Sequence, residues 1–247
     1  MTPSYEHLAA QVAVYRRGNL DYTRCLCRGT ELLVTGQPEE VVRQALLVYL
    51  MQACGLYPRV IDLRAEFNDI DIAVLKPHSD ERFRPLPKPL AVIEVKRTGV
   101  DLRSHQNQLF AYLTANGSDT GFLYSGRELF AYEPDGQGGW SENRLTSLAQ
   151  LDSALLAAAR RPDVHLDTFH RAAVGCVASF LSLVDSFGRY TLHRIAFALK
   201  SVPEPITGCC FRVEGDRVHY DSYGNYTRKQ RLSFRLNEFV RLDSILY

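Results

Sequence analysis

The sequence predicts a mixed α/β fold, and three observations lead there. Between residues 37 and 135 the apolar patterning changes in the order helix, strand, strand, strand, helix, strand. Glycine and proline punctuate the same stretch where elements should stop, at Gly36-Gln37-Pro38, Gly55 and Asn116-Gly117. The chain has 247 residues, 46% of them hydrophobic, long enough for one large core with extensions or for two domains. The expected division is an N-terminal helical extension (1–36), an α/β core (37–135), and a C-terminal region (136–247) that is first helical and then β.

In chain order, residues 5–17 place Tyr5, Leu8, Val12 and Tyr15 at helical spacing, with Gly18-Asn19 as the stop. Arg16, Arg17, Arg24 and Arg28 follow on a polar connector, read as a solvated face, and Glu31–Thr35 reads as a short strand. Pro38 opens a helix over 39–54 whose stripe is Val42, Leu46, Tyr49, Leu50 and Ala53. Strands over 59–66 and 70–76 are joined by Phe67-Asn68-Asp69, residues suited to a tight connection. Prolines at 77, 85, 87 and 89 make 77–89 a surface loop, unable to pair as a central strand. A strand over 90–96, a helix over 102–115, and strands over 121–124 and 128–132 around Ser125-Gly126-Arg127 complete the core.

The strand Leu90-Ala91-Val92-Ile93-Glu94-Val95-Lys96 ends on an ion pair. With a side-chain period of two, Glu94 and Lys96 point to one face, where each is costly to desolvate unless it pairs or holds something. A plain ion pair at a strand end is the simpler reading, and a functional site is the other. Asp69 and Asp71 lie on one face at the mouth of the preceding strand. Gln108 and Tyr112 share a helix face, one turn apart. Glu39 and Glu40 open the first core helix, and Glu39 with Arg43 makes a favourable i, i+4 pair that leaves Glu40 to face a site.

The order Glu, Asp, Glu-x-Lys, Gln-x-x-x-Tyr resembles the PD-(D/E)XK nuclease superfamily. More closely, it resembles the N-terminal nuclease domain of type I restriction enzyme motor subunits, over residues 37–133. The resemblance implies a restriction-endonuclease-like α-β-β-β-α-β core, a mixed sheet flanked by helices. It implies a metal-dependent endonuclease acting on DNA in restriction or antiphage defence, with Mg²⁺ as cofactor and Mn²⁺ as a substitute. Asp71, Glu94 and the backbone carbonyl of Val95 would then be the metal ligands, and Glu40 would bind a second ion or a metal-bound water. Lys96 would sit beside the attacking water, and Gln108 and Tyr112 would position the strand or support the metal site. Asp71 is preferred to Asp69 because Ile72-Ala73-Val74 follows it as in the family's Asp-Ile-x-Val pattern, and Glu40 is preferred to Glu39 by register. The chain has no Gly-x-x-x-x-Gly-Lys-Ser/Thr phosphate loop. Either a separate helicase, translocase or sensor protein works with it, or the nuclease acts alone.

A net charge of +1 does not mark a nucleic-acid binder in bulk, although Arg greatly outnumbers Lys. No apolar run approaches a membrane span and no secretory segment opens the chain, so a cytoplasmic protein with reduced thiols is expected. An iron–sulfur cluster on Cys25 or Cys27 with Cys176, Cys209 and Cys210 is disfavoured by the adjacent Cys-Cys pair. Residues 147–161 and 165–187 read as helices, 190–200 as either helix or strand, and 211–214 with 217–220 as a hairpin through Gly215-Asp216. His165 and His170, five apart, read as surface residues rather than metal ligands. Tyr220, Tyr223 and Tyr226 interleave with Arg228, Lys229 and Arg231, which suits a nucleic-acid platform or a homodimer surface equally. Two other functions remain open: a non-catalytic nucleic-acid-binding or interaction module, and a signal-activated or RNA-directed nuclease.

Overall fold

The computed structural model describes residues 3–189, 192–222 and 231–247. In chain order they form α1 (Tyr5–Ala9), β1 (Tyr15–Arg17), β2 (Leu20–Arg24), β3 (Glu31–Leu33), α2 (Glu39–Val48), β4 (Asp62–Phe67), β5 (Ile70–Leu75), β6 (Phe83–Arg84) and β7 (Ala91–Val95). There follow α3 (Gln106–Asn116), β8 (Gly121–Tyr124), β9 (Leu129–Pro134), β10 (Trp140–Leu145), α4 (Leu148–Arg160), α5 (Val164–Ala173) and α6 (Val177–Leu183). The remaining strands are β11 (Arg194–Leu199), β12 (Val202–Glu214), β13 (Arg217–Asp221), β14 (Arg231–Arg235) and β15 (Phe239–Leu246). Contacts divide the chain into two compact units. The first comprises Met1–Pro77 with Lys88–Arg161, and the second His78–Pro87 with Pro162–Tyr247. The boundaries therefore differ from those expected at 36 and 135. The N-terminal segment and α4 pack into the first core, and ten residues of the proline-rich stretch belong to the second.

The first unit contains a three-stranded antiparallel sheet, β1-β2-β3, and a six-stranded mixed sheet, ordered β10-β9-β8-β7-β5-β4, with helices on both faces of the larger one. All its pairings are antiparallel except that between β7 and β8. Alternation along the strands sends Ile72, Val74, Ile93 and Phe122 to the face covered by Leu46 and Leu50 of the α2 segment and Leu151 and Leu155 of α4. The other face presents Ala73, Val92, Leu123 and Phe130 to Leu109 and Leu113 of α3. Asp71 and Glu94 share parity with Ala73 and Val92, which carries them to the α3 side, where the strands run out of apolar residues. The turn from β4 to β5 is two residues long, with Asn68 at φ 50° and Asp69 at φ 65°. Two successive positive φ angles are the type I′ geometry that Asn and Asp tolerate best.

Two local expectations fail in this unit. The helix foreseen over 5–17 stops at Ala9, and Tyr15–Arg17 pairs with Leu20–Arg24 across a two-residue Gly18-Asn19 turn in which Gly18 has φ 62°. Gly-first chemistry suits such a hairpin turn, so Gly18-Asn19 reverses a ribbon instead of ending a helix. The strand β10, in the sequence Trp-Ser-Glu-Asn-Arg-Leu, had no apolar signal because it forms the polar edge of the sheet.

The second unit is a mixed sheet ordered β14-β13-β12-β11-β15-β6 over an aromatic core that includes Phe169 and Phe180 of its helices and Phe197, Phe211 and Phe239 of its strands. Gly215-Asp216 turns β12 into β13 as read from sequence, and of the ambiguous stretch 190–200 the residues Arg194–Leu199 form β11, while 190 and 191 lie outside the described residues. The single helix expected over 165–187 breaks at Gly175, whose φ of 97° no helix tolerates. The proline-rich stretch is not wholly loop: Phe83 and Arg84 pair in parallel with Ile245 and Leu246 at the sheet edge, where proline-flanked strands are tolerated, and Phe83 is buried. Among the described residues no helix is long and apolar enough to cross a membrane.

Candidate active site

At the carboxyl end of β7, the amino end of β5 and the first turns of α2 and α3, the chain gathers charges that an apolar core would exclude. Glu94 is 3% exposed. Its Oε1 accepts from Lys96 Nζ at 2.7 Å, and Lys96 Nζ also donates to Gln108 Oε1 at 3.1 Å. Gln108 in turn donates through Nε2 to the Tyr112 hydroxyl at 3.0 Å. The helical spacing of Gln108 and Tyr112 thus works as one arm reaching from α3 to the strand-end lysine.

Asp71 lies on the neighbouring strand. Its Oδ2 accepts the Val95 amide N–H at 2.7 Å and its Oδ1 accepts from Arg43 Nη1 at 3.0 Å. The antiparallel ladder between β5 and β7 ends at Ile72 and Ile93, so the aspartate side chain takes over a backbone donor that the ladder no longer serves. The resemblance implies a ligand role for Val95 through its carbonyl; what the structure brings to Asp71 is the Val95 amide. Asp69 is exposed in the type I′ turn and takes no part in the cluster.

Arg43 is the residue that sequence reasoning missed. The helical spacing offers it Glu39 as a partner, but the guanidinium is buried and turns inward, joining Glu40, Glu66 at 2.9 Å, and Asp71. The i, i+4 pair with Glu39 is not made, because three carboxylates on the sheet side hold the arginine more strongly than one on the helix surface. Glu66 escaped notice as well. It lies on β4 between the Ala65–Ile72 and Phe67–Ile70 pairs with φ 52°, and it also pairs with Arg28, which stays exposed on its connector. A signal was present in the sequence: an Arg three residues after Glu40 on a helix whose neighbours are nearly all apolar has to find acids inside.

The electrostatics follow from burial. Desolvation, then Asp71 alongside, pushes Glu94 up to about 7, with Lys96 pulling the other way. Desolvation also raises Asp71, against the Val95 N–H, Arg43 and Lys96. Both carboxylates are thus harder to ionise than free ones, with Lys96 and Arg43 offsetting part of the burial. Glu40 is raised by burial and partly restored by Arg43. Glu94 Oε2 and Glu40 Oε2 are buried without a hydrogen-bond donor.

These orphaned oxygens test whether the residues suit a metal ion. Among the described residues no group of three or more His, Cys, Asp or Glu is arranged to hold one. Two carboxylates, Asp71 and Glu94, are placed to share one, and they offer the hard oxygens that Mg²⁺ takes while it keeps several waters. The donor set fits one such ion with water completing its shell. His165 and His170 lie in the second unit, where His165 packs edge-on against Phe187 and His170 meets Asp80 at 3.3 Å. No disulfide joins the six cysteines.

Of the C-terminal aromatic and basic residues, Tyr220 is a core side chain, so its ring is not offered for stacking. Tyr223, Tyr226, Arg228 and Lys229 lie outside the described residues, as does the side chain of Arg231. The fold and cluster together define a mixed α/β protein with a carboxylate–lysine centre at its strand ends. No family model, curated protein or solved structure matches this chain.

Proposed function

We propose that the chain is a Mg²⁺-dependent nuclease with a restriction-endonuclease-like core. One observation carries the proposal: Asp71 and Glu94 meet at the ends of adjacent strands, with Lys96 hydrogen-bonded between Glu94 and the Gln108–Tyr112 arm. The run α2, β4, β5, β7, α3, β8, with β8 parallel to β7, supports the core assignment. Resemblance to the nuclease domain of restriction motor subunits supplies the DNA substrate, the defence role, and a separate translocase or sensor as partner.

Bound between Asp71 and Glu94, Mg²⁺ would neutralise phosphate charge and acidify a water. The protein's own residues supply the rest. Lys96 Nζ, with Glu94 and Gln108 as its two anchors, has a third N–H to donate to an incoming water and offsets the charge left as that water loses its proton. Gln108 and Tyr112, set one helical turn apart on the exposed side of α3, line the approach of the nucleic-acid strand. Asp71, oriented by Arg43 and the Val95 amide, presents its remaining lone pairs to the centre. Glu40 fixes Arg43, and its unpartnered oxygen is available to a water of the site.

The purified chain, incubated with circular duplex DNA, single-stranded DNA and RNA in Mg²⁺, Mn²⁺ or EDTA beside Glu94→Ala, tests this directly. Metal-dependent cleavage that disappears in the variant is the expected result, and the preferred substrate separates a DNA from an RNA enzyme. Cleavage unaffected by EDTA or by Glu94→Ala overturns the proposal. A second reading has its own observation: Arg43 already pairs with Glu40, Glu66 and Asp71, as it would in a binding module that keeps the ion-pair core without the chemistry.

A further inference from the structure

We infer that this site takes one divalent cation and not two, because the buried guanidinium of Arg43 occupies the second cationic position. The inference rests on the metal-dependent reading above and deepens it.

A two-ion phosphodiester site holds its ions roughly 3.5–4 Å apart across a bridging carboxylate, with a further acid on the outer ion. Asp71 is the acid placed to bridge, since it lies between Glu94 on one side and the α2 carboxylate on the other. Its Oδ1, however, is bound to Arg43 Nη1 at 3.0 Å. Glu40, the acid placed for an outer ion, gives its Oε1 to the same guanidinium, and Arg43 continues to Glu66 at 2.9 Å. Arg43 is 4% exposed and cannot be discharged, so a second ion would have to share this pocket with a fixed positive charge. Rotating the arginine out would leave Glu40, itself 7% exposed, without its counter-charge.

Charge balance points the same way. With every group ionised, the carboxylates of Glu40, Glu66, Asp71 and Glu94 face the cations Arg28, Arg43 and Lys96, for a net charge of −1. One divalent ion makes the cluster +1, which a single phosphodiester anion neutralises. A second ion makes it +3, with no acid among the cluster's members left to meet it. The buried, donorless Oε2 of Glu94 is the free oxygen for the single ion.

The test is Mn²⁺ binding by the metal-free full chain without nucleic acid, read by equilibrium dialysis and electron paramagnetic resonance. Wild type should bind one Mn²⁺ and show an isolated-ion spectrum at saturation, and Glu94→Gln should lose at least tenfold in affinity. Arg43→Gln, shown to be folded by its cooperative melt, should bind a second Mn²⁺. Two ions in wild type, a dipolar-coupled Mn²⁺ pair, or no binding overturns the inference, as does a folded Arg43→Gln that still binds one. If Arg43→Gln does not fold, the wild-type stoichiometry and spectrum decide. One bound Mn²⁺ without cleavage of any nucleic acid upholds the single-ion site and sinks the nuclease reading. Two ions with cleavage does the reverse.

Discussion

Lys96 is held by two acceptors, Glu94 and Gln108, and Glu94 can take up a proton once the ammonium is gone, so the loss of Lys96 should fall on chemistry more than on fold. Lys96→Ala is expected to lower nuclease activity by at least a hundredfold while the melting temperature stays within a few degrees, and wild-type cleavage by this variant overturns its assigned role. The two aspartates should separate cleanly. Asp71→Asn weakens the carboxylate pair and the Arg43 bridge and should abolish activity. Asp69→Asn sits in a turn that Asn favours and should leave both activity and stability nearly unchanged. The reverse ranking in parallel assays would assign the site to Asp69. Glu94 gives the pH dependence. Its value in the fold, about 7, lies above the ordinary 4.5, so the protonated form is the one folding favours. That contribution is complete below the ordinary value and is lost as pH rises through about 7. Metal-free wild type should therefore lose melting temperature between pH 5 and 8 relative to Glu94→Gln, and Mn²⁺ affinity should rise across the same window as the ion displaces the proton. Parallel melting curves for the two proteins across that range would refute the shift.

At the scale of elements, the strands β5, β7 and β8 and the helices α2 and α3 were legible because their apolar runs and stops agree with where they pack. The turn chemistry of Asn68-Asp69 and of Gly117, at φ 61°, was equally plain. What could not be read is what depends on a partner distant in sequence. Edge strand β10 carries no alternation, because one side of it meets water. The pair Phe83-Arg84 is a strand only because Ile245-Leu246 lies alongside. In the candidate site, period pairs Glu94 with Lys96 and helical spacing pairs Gln108 with Tyr112, and the resemblance joins the two pairs. Arg43 is not legible in that way, because Glu39 offers a local i, i+4 partner while two of the three acids it joins, Glu66 and Asp71, lie on other elements, β4 and β5. The break between α5 and α6 yields a stability prediction. At Gly175, φ is 97° and an added Cβ would come within 2.9 Å of the Val240 carbonyl oxygen. Gly175→Ala should destabilise by about 1–3 kcal/mol, measured by denaturant melts, and no loss would mean the break relaxes without strain.

For the whole molecule, the informative fact is that the second unit is not contiguous. Residues 78–87 leave the first unit between β5 and β7 and lay a strand beside β15. Cutting the chain after Arg161 should therefore give an insoluble product, because Phe83 loses its core. Replacing 78–87 with a short Asn-Gly turn should rescue it, since Leu90 N–H already bonds Val74 C=O across the antiparallel pair and a hairpin can close there. The rescued 3–161 chain should melt cooperatively and bind Mn²⁺; an insoluble product in both forms would show that the first unit depends on more of the second than this strand. The same arrangement bears on biosynthesis. A ribosome releases Phe83 roughly 160 residues before Ile245, which at ~5–20 residues per second leaves the strap waiting for its neighbour for on the order of ten to thirty seconds. During that interval the prolines around Phe83 protect the nascent chain, denying a stray strand the run of N–H donors it would need to pair there.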